Sequence, residues 1–392
     1  MKLVLTGADL YTPEEYFPGG TVVIEDGKIT AVGPGELPGG SAFCVLKLNR
    51  ELIISPGFLD LHTHGFGGYA VSADPMQLAG LSKTLAAQGI TGFLATTFSS
   101  PLEELARIIM TAGKIQKEGL PGASLLGVHL EGPFLNPDYA GAYERDFIRQ
   151  PASEELRFLL EKGPVSLLTL APELPGALEV INEAATLGIT VAAGHSGATY
   201  EETVAAVSAG LSYATHVFNR MAPLHHRAPG LPGAVLTHPQ ITVEAIADGI
   251  HLHPATLKIL TSIKREKLVV ASDTVACAGL SPGTYQLGSQ TVTVTEKEVR
   301  SSRGCLAGSA RPLSFAVFYL KRVTGLTFTQ VLPFATTHPA RVLGLDYKIG
   351  RLAPGYDADL AVFTQAGVPL LTLKQGRAVF RSPRLELPDL PP

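Results

Sequence analysis

Histidine and carboxylate residues close a series of short apolar runs along this chain. Ile53-Ile54-Ser55-Pro56-Gly57-Phe58-Leu59-Asp60-Leu61 leads into His62-Thr63-His64, and Leu125-Leu126-Gly127-Val128 leads into His129-Leu130-Glu131. Ile189-Thr190-Val191-Ala192-Ala193-Gly194 ends on His195, and Tyr213-Ala214-Thr215 on His216. Ala245-Ile246-Ala247 precedes Asp248-Gly249-Ile250-His251, and Leu268-Val269-Val270-Ala271-Ser272 ends on Asp273. His62 and His64 stand two apart, so on a strand they point to one side and can share a cation. Glu131 follows an apolar run, where a carboxylate is costly to bury without a partner. His195 or His216 alone would read as a hydrogen-bonded core histidine. Together with Glu131 at strand ends, the set suits zinc or another borderline divalent ion. Asp273 reads as a base that takes a proton from a water beside the metal and returns it to a leaving group, with a loop cap as the alternative. His129, inside its run, either supports the ligands or belongs to the core. His225, His226 and Arg227 lie in a Pro/Gly-rich loop, which is either a solvated turn or an anion site using the planar Arg fork.

Such residues work together only if the backbone gathers them. Apolar runs at 57–62, 91–98, 125–131, 165–170, 189–195, 212–217, 242–248 and 268–273 read as eight buried parallel strands. Helical stretches at 75–88, 101–118, 153–162, 176–187, 199–209 and 254–264 lie between them, with Gly89, Gly188 and Gly210 placed to stop helices. Alternation of this kind predicts an α/β fold, a (β/α)8 TIM-type barrel whose active site gathers at the carboxyl ends of the strands. Residues 284–300 read as a hairpin inserted after the eighth strand, followed by helices near 309–323 and 328–343. At the amino end, Glu25-Asp26-Gly27 between apolar runs is a hairpin signal. The carboxyl end is similar in style, so residues 1–55 and 345–392 are expected to form one small β-sandwich around a catalytic barrel of 56–344.

The 45% hydrophobic and 17% charged residues are those of a compact protein with a large core. A net charge of −4 offers no attraction to nucleic acid or an anionic membrane. Cys44, Cys277 and Cys305 are too widely spaced for a zinc ribbon or a disulfide framework. The first residues run directly into strand-like sequence and no apolar stretch reaches membrane-spanning length, so a cytoplasmic location is expected. No Walker-type loop is present.

Several stretches resemble the amidohydrolase superfamily and, within it, the N-acetylglucosamine-6-phosphate deacetylases. They are Pro56-Gly57-Phe58-Leu59-Asp60, His129-Leu130-Glu131-Gly132-Pro133-Phe134, Gly194-His195-Ser196, Thr215-His216-Val217-Phe218-Asn219, Arg227-Ala228-Pro229-Gly230, Ala247-Asp248-Gly249-Ile250-His251, Leu306-Ala307-Gly308-Ser309 and Pro354-Gly355-Tyr356-Asp357-Ala358-Asp359. The resemblance implies metal-assisted hydrolysis of the N-acetyl group of a phosphorylated amino sugar, N-acetylglucosamine 6-phosphate, in a homodimer. It implies Glu131, His195 and His216 as metal ligands, Asp273 as general base and acid, and His251 as a sugar contact. Asn219, the backbone at Arg220, and Arg227 reaching across the dimer would hold the phosphate, with Ala142 and Leu306 also at the substrate. The ion would be Zn2+, with Fe2+, Mn2+ or Co2+ as alternatives. Many members carry glutamine at the first position of the His-x-His pair and bind one metal, whereas His62-Thr63-His64 is complete here, so one or two ions per subunit are expected. Two departures stand near the substrate: Arg220 replaces an alanine usual in the family, and the loop Gly141-Ala142-Tyr143-Glu144 lacks a common histidine. The alternative is another amidohydrolase, acting on a different N-acyl amino sugar or a cyclic amide. Many such enzymes use a bridging carboxylated lysine, yet no Lys closes any of these strands.

Overall fold

The computed structural model describes residues 2–35 and 43–385. Eight parallel strands run in order around a barrel: Phe58–Thr63, Ile90–Thr97, Ser124–Glu131, Val165–Leu170, Thr190–Ala193, Tyr213–Ala214, Thr242–Ile246 and Leu268–Ala271. The ring closes where Asp273 N donates to His62 O (2.8 Å) and His64 N to Thr274 O (2.8 Å). Leu61, Leu94, Leu167, Ala192, Tyr213 and Val269 form one buried cluster with a residue from each of six strands, as a packed barrel interior requires. The eight expected strands are all present. Three of them end two residues before the polar residue that follows, so His195, His216 and Asp273 sit on the first turns of the loops.

One helix lies where none was expected, and one helical expectation needs correction. Gly230–Thr237 is a helix although it contains Gly230, Pro232 and Gly233. Its residues from Gly230 to Leu236 are all buried, so it shows no amphipathic period, and packing rather than propensity sustains it. The segment 328–343 is not one helix but Phe328–Val331, a 3-10 turn Leu332–Ala335 and Thr337–Val342. Pro333 and Pro339 each lack the N–H that a continuous helix needs. The expected hairpin after the eighth strand is part of a larger four-stranded sheet, Gly283–Leu287, Gln290–Val294, Glu298–Ser301 and Leu306–Ser309.

Strands from both ends of the chain make a second eight-stranded sheet. Leu360–Thr364 pairs antiparallel with Leu52–Pro56, which in turn lies beside Lys2–Tyr11. The sheet wraps an apolar core that includes Leu3, Leu5, Ile24, Ile54, Leu360, Val362 and Leu371. Residues 1, 36–42 and 386–392 of the expected terminal segments lie outside the described residues.

Asp359 is buried where this sheet meets the barrel. Burial, partly offset by the Gln375 N–H (2.7 Å), pushes its carboxyl up from 3.8 to about 6. The unfolded chain releases this proton near the lower value and the folded chain near the higher one. Stability therefore falls as pH rises through that window, and the cost is complete above it. Two pH units correspond to about 3 kcal/mol. Asp359→Asn is expected to raise Tm by a few degrees at about pH 7.5 and to leave it unchanged near pH 4. Equal melting at both pH values would contradict this account.

Candidate active site

Five residues from the strand ends, His64, Glu131, His195, His216 and Asp273, line a cavity of about 350 Å³ at the carboxyl rim of the barrel, with His62 buried beneath them. Glu131 is at the centre and almost fully buried. Its Oε2 lies 3.1 Å from His62 Nε2 and 3.2 Å from His64 Nε2, and those two nitrogens are 3.3 Å apart. Its Oε1 lies 3.1 Å from His195 Nε2 and 2.9 Å from His216 Nε2, which are 3.1 Å from each other. Each carboxylate oxygen thus belongs to a separate three-residue donor set, and the sets share only Glu131. Ligands at 2.0–2.1 Å in a tetrahedral shell stand about 3.3 Å apart, so each set has the spacing of a divalent-ion shell. Asp273 Oδ1 lies 3.4 Å and 3.5 Å from Nε2 of His62 and His64.

The backbone is bent to achieve this. His195 (φ 50°), His216 (φ 30°), Phe218 (φ 75°), Arg220 (φ 52°) and Asp273 (φ 51°) occupy left-handed backbone conformations that non-glycine residues avoid. Each costs of order 1–3 kcal/mol and persists only where its surroundings enforce it. Imidazole orientation is enforced as well. Nδ1 of His62 faces Glu244 Oε1 (2.8 Å), that of His64 faces Thr96 O (3.1 Å), and that of His195 faces Tyr139 O (2.9 Å). Each leaves the Nε2 lone pair aimed at the centre. His64 is also pinned by Phe98, stacked on its ring at 4.0 Å.

Electrostatics fit a cation. Burial alone would raise the Glu131 carboxyl, but the positive field of His62 and the polar contacts of the His195 and His216 rings outweigh it and hold Glu131 well below its ordinary range. His62 is opposed by burial yet raised well above its usual value by Glu131, Glu244 and Asp273. His195 is lowered by burial and stays a neutral lone-pair donor. Three carboxylates around these imidazoles thus call for positive charge, which a divalent ion supplies.

The sequence candidates separate into those that reach this cavity and one that does not. Asn219, Arg220, His251, Ala142 and Leu306 line it together with His64, Glu131, His195, His216 and Asp273, and His62 lies directly beneath. Arg220 folds across Gly141, where a Cβ would come within 2.5 Å of its Nε, so glycine at 141 makes room for the guanidinium. His251 Nδ1 is 2.7 Å from Asp248 Oδ2. Burial disfavours charge on this ring, but the Asp248 contact prevails and raises its pKa. Arg227 stands apart on an exposed loop, its Nη1 at 2.7 Å from His226 Nε2. His129 is a core residue, fully buried with Nε2 on Thr169 Oγ1 (2.8 Å).

Two further residues, one lining the cavity and one beneath it, carried no assignment from the sequence. The Tyr143 hydroxyl donates to Glu131 Oε2. Glu244, fully buried in Thr242-Val243-Glu244-Ala245-Ile246, orients His62. A carboxylate in the middle of an apolar strand is costly enough to have marked it.

The profile of the amidohydrolase family matches residues 53–379, spanning every residue of the cavity described above. The chain belongs to the amidohydrolase family. Like its relatives in that family it is a hydrolase acting on an amide bond. The N-acetylglucosamine-6-phosphate deacetylase of Bacillus subtilis (strain 168) is 33% identical over 389 residues, covering 97% of this chain and 98% of that one. The N-acetylgalactosamine-6-phosphate deacetylase of Escherichia coli O157:H7 is 35% identical over 363 residues, 92% of this chain and 94% of that one. Among solved structures, a variant of N-acetyl-D-glucosamine-6-phosphate deacetylase from Mycobacterium smegmatis, in complex with N-acetyl-D-glucosamine-6-phosphate, superposes with a TM-score of 0.90 at 31% identity, covering 96% and 99% of the two chains. No helix among the described residues is long and apolar enough to cross a membrane.

Proposed function

We propose that this amidohydrolase is a metal-dependent deacetylase that converts N-acetylglucosamine 6-phosphate to glucosamine 6-phosphate and acetate. One observation carries the reading: a cavity with two donor sets and Asp273 at its base also presents Arg220, Asn219 and His251, which suit a phosphorylated sugar. Glu131, His195 and His216 would hold one ion, and His62, His64 and the other oxygen of Glu131 a second, with zinc the preferred metal for this imidazole-carboxylate set. When bound, the metal supplies Lewis acidity toward the amide carbonyl and acidifies a water beside it. Asp273 takes the proton of that water and passes it to the sugar nitrogen, which leaves as an amine because an amide anion is too basic to depart. Tyr143, a buried phenol held in its protonated form by burial and the Glu131 charge, donates its hydroxyl proton to Glu131 Oε2 and steadies that shared ligand. His251, held in place by Asp248, and Arg220 hold the sugar and its phosphate. Arg227 would serve the phosphate site of a neighbouring subunit in a homodimer. A phosphorylated sugar is retained inside cells by its charge, which suits a cytoplasmic enzyme.

The test is acetate release from the zinc-loaded protein with N-acetylglucosamine 6-phosphate and with the unphosphorylated sugar. Acetate from the phosphorylated sugar at a kcat/KM at least ~100-fold higher is expected, since taking away one member of a buried charge pair costs about 3 kcal/mol. Comparable rates would remove the phosphate from the reading. The Escherichia coli relative supports a second reading, N-acetylgalactosamine 6-phosphate as substrate. Parallel assays with the two epimers separate them.

A further inference from the structure

Beneath the cavity, one carboxylate touches both donor sets. Glu244 Oε1 accepts from His62 Nδ1–H (2.8 Å) in one set and from the backbone N–H of His216 (3.0 Å) in the other. Its backbone carbonyl accepts from Val217 N–H (2.8 Å). His216 is one of the strained residues, so Glu244 grips the loop on both sides of the peptide that carries this ligand. The second oxygen, Oε2, accepts from the Tyr213 hydroxyl (2.9 Å). Glu244, Tyr213 and His62 are all fully buried, which keeps these bonds out of reach of competing solvent.

We infer that Glu244, braced by Tyr213, is a positioning residue that sets the metal affinity of both donor sets at once. The inference rests on the metal-dependent reading above and adds to it a residue that touches neither ion nor substrate. Its physical basis is twofold. An anionic acceptor on Nδ1 fixes the His62 tautomer with Nε2 free to bind metal and makes the ring a stronger donor. The bond to His216 N–H holds a left-handed backbone conformation that would otherwise relax, moving Nε2 away from Glu131. Tyr213 matters because an unsatisfied buried carboxylate oxygen is costly and would turn the group away from its two partners.

Three variants test this, read by metal affinity in competition with graded chelators and by the visible spectrum of the cobalt-substituted protein. Glu244→Gln keeps shape and an acceptor but loses charge, and Tyr213→Phe removes only the brace. Each is expected to weaken metal binding about 10–100-fold and to shift the cobalt bands, with the fold retained and Tm lowered by a few degrees at most. Glu244→Leu is expected to lower affinity further, and if it does not fold the other two still decide. Loss of kcat restored by excess metal would follow for Gln and Phe. Native affinity and a native cobalt spectrum in both Gln and Phe variants overturn the inference while the deacetylase reading stands. A native chain that binds no divalent ion overturns both.

Discussion

Asp273→Asn is expected to keep its metal and its substrate affinity while kcat falls by ~10³–10⁴-fold, the range for a positioned proton-transfer group that serves two steps. The geometry explains the separation. Asp273 Oδ1 lies 3.4–3.5 Å from His62 and His64, beside the donor sets but outside both three-residue groups. Its backbone N–H and carbonyl are engaged with His62 O and Ser309 N, so the substitution leaves the fold undisturbed. Burial would raise the Asp273 carboxyl, but the positive field of His62 and the adjacent His64 ring outweigh it and bring it down to about 2, so it is ionised at neutral pH. An amide in its place can neither take the water proton nor deliver it to the nitrogen. Metal analysis, isothermal binding of substrate and single-turnover acetate release check each part. Turnover within tenfold of native would remove Asp273 from the proton path.

Glu131→Gln should act differently, on both donor sets together. Its two oxygens are divided between the sets, and among the described residues no other belongs to both. The amide keeps the volume but presents one oxygen and one NH2 group, whose nitrogen cannot ligate. Removing a residue that merely orients a ligand costs 10–100-fold in metal affinity, so loss of a shared ligand is expected to exceed ~100-fold at each set. The variant should emerge from dialysis with little metal and without measurable deacetylation, and added zinc should restore little of it. Retention of one tightly held ion would show that Glu131 serves a single set. The pair of variants distinguishes the two roles: Asp273→Asn is loaded and inactive, Glu131→Gln empty and inactive.

Much of this molecule is written in short-range patterns. The apolar runs ending in His62-Thr63-His64, Glu131, His195, His216 and Asp273 mark buried parallel strands and the polar residues at their ends. A barrel brings every strand end to one rim whatever the loops between do, so the residues of both donor sets can be named from the linear chain. The terminal sheet is likewise visible in Asp26-Gly27 and in the strand-like ends. Tertiary packing alone made the apolar Gly230–Thr237 a helix and broke 328–343 at its prolines, since propensity is a weak guide when the whole segment is buried. It alone also divided the oxygens of Glu131 between two pairs of histidines, twisted His195, His216 and Asp273 into left-handed backbone, and set Glu244 beneath them. Those arrangements depend on distances between residues as far apart in the chain as His62 and Glu244, a separation of 182 positions. Periodicity reports which face of a strand a side chain takes, whereas a metal shell requires donor atoms within a few tenths of an ångström, and that accuracy comes from strand stagger and loop strain in the closed barrel.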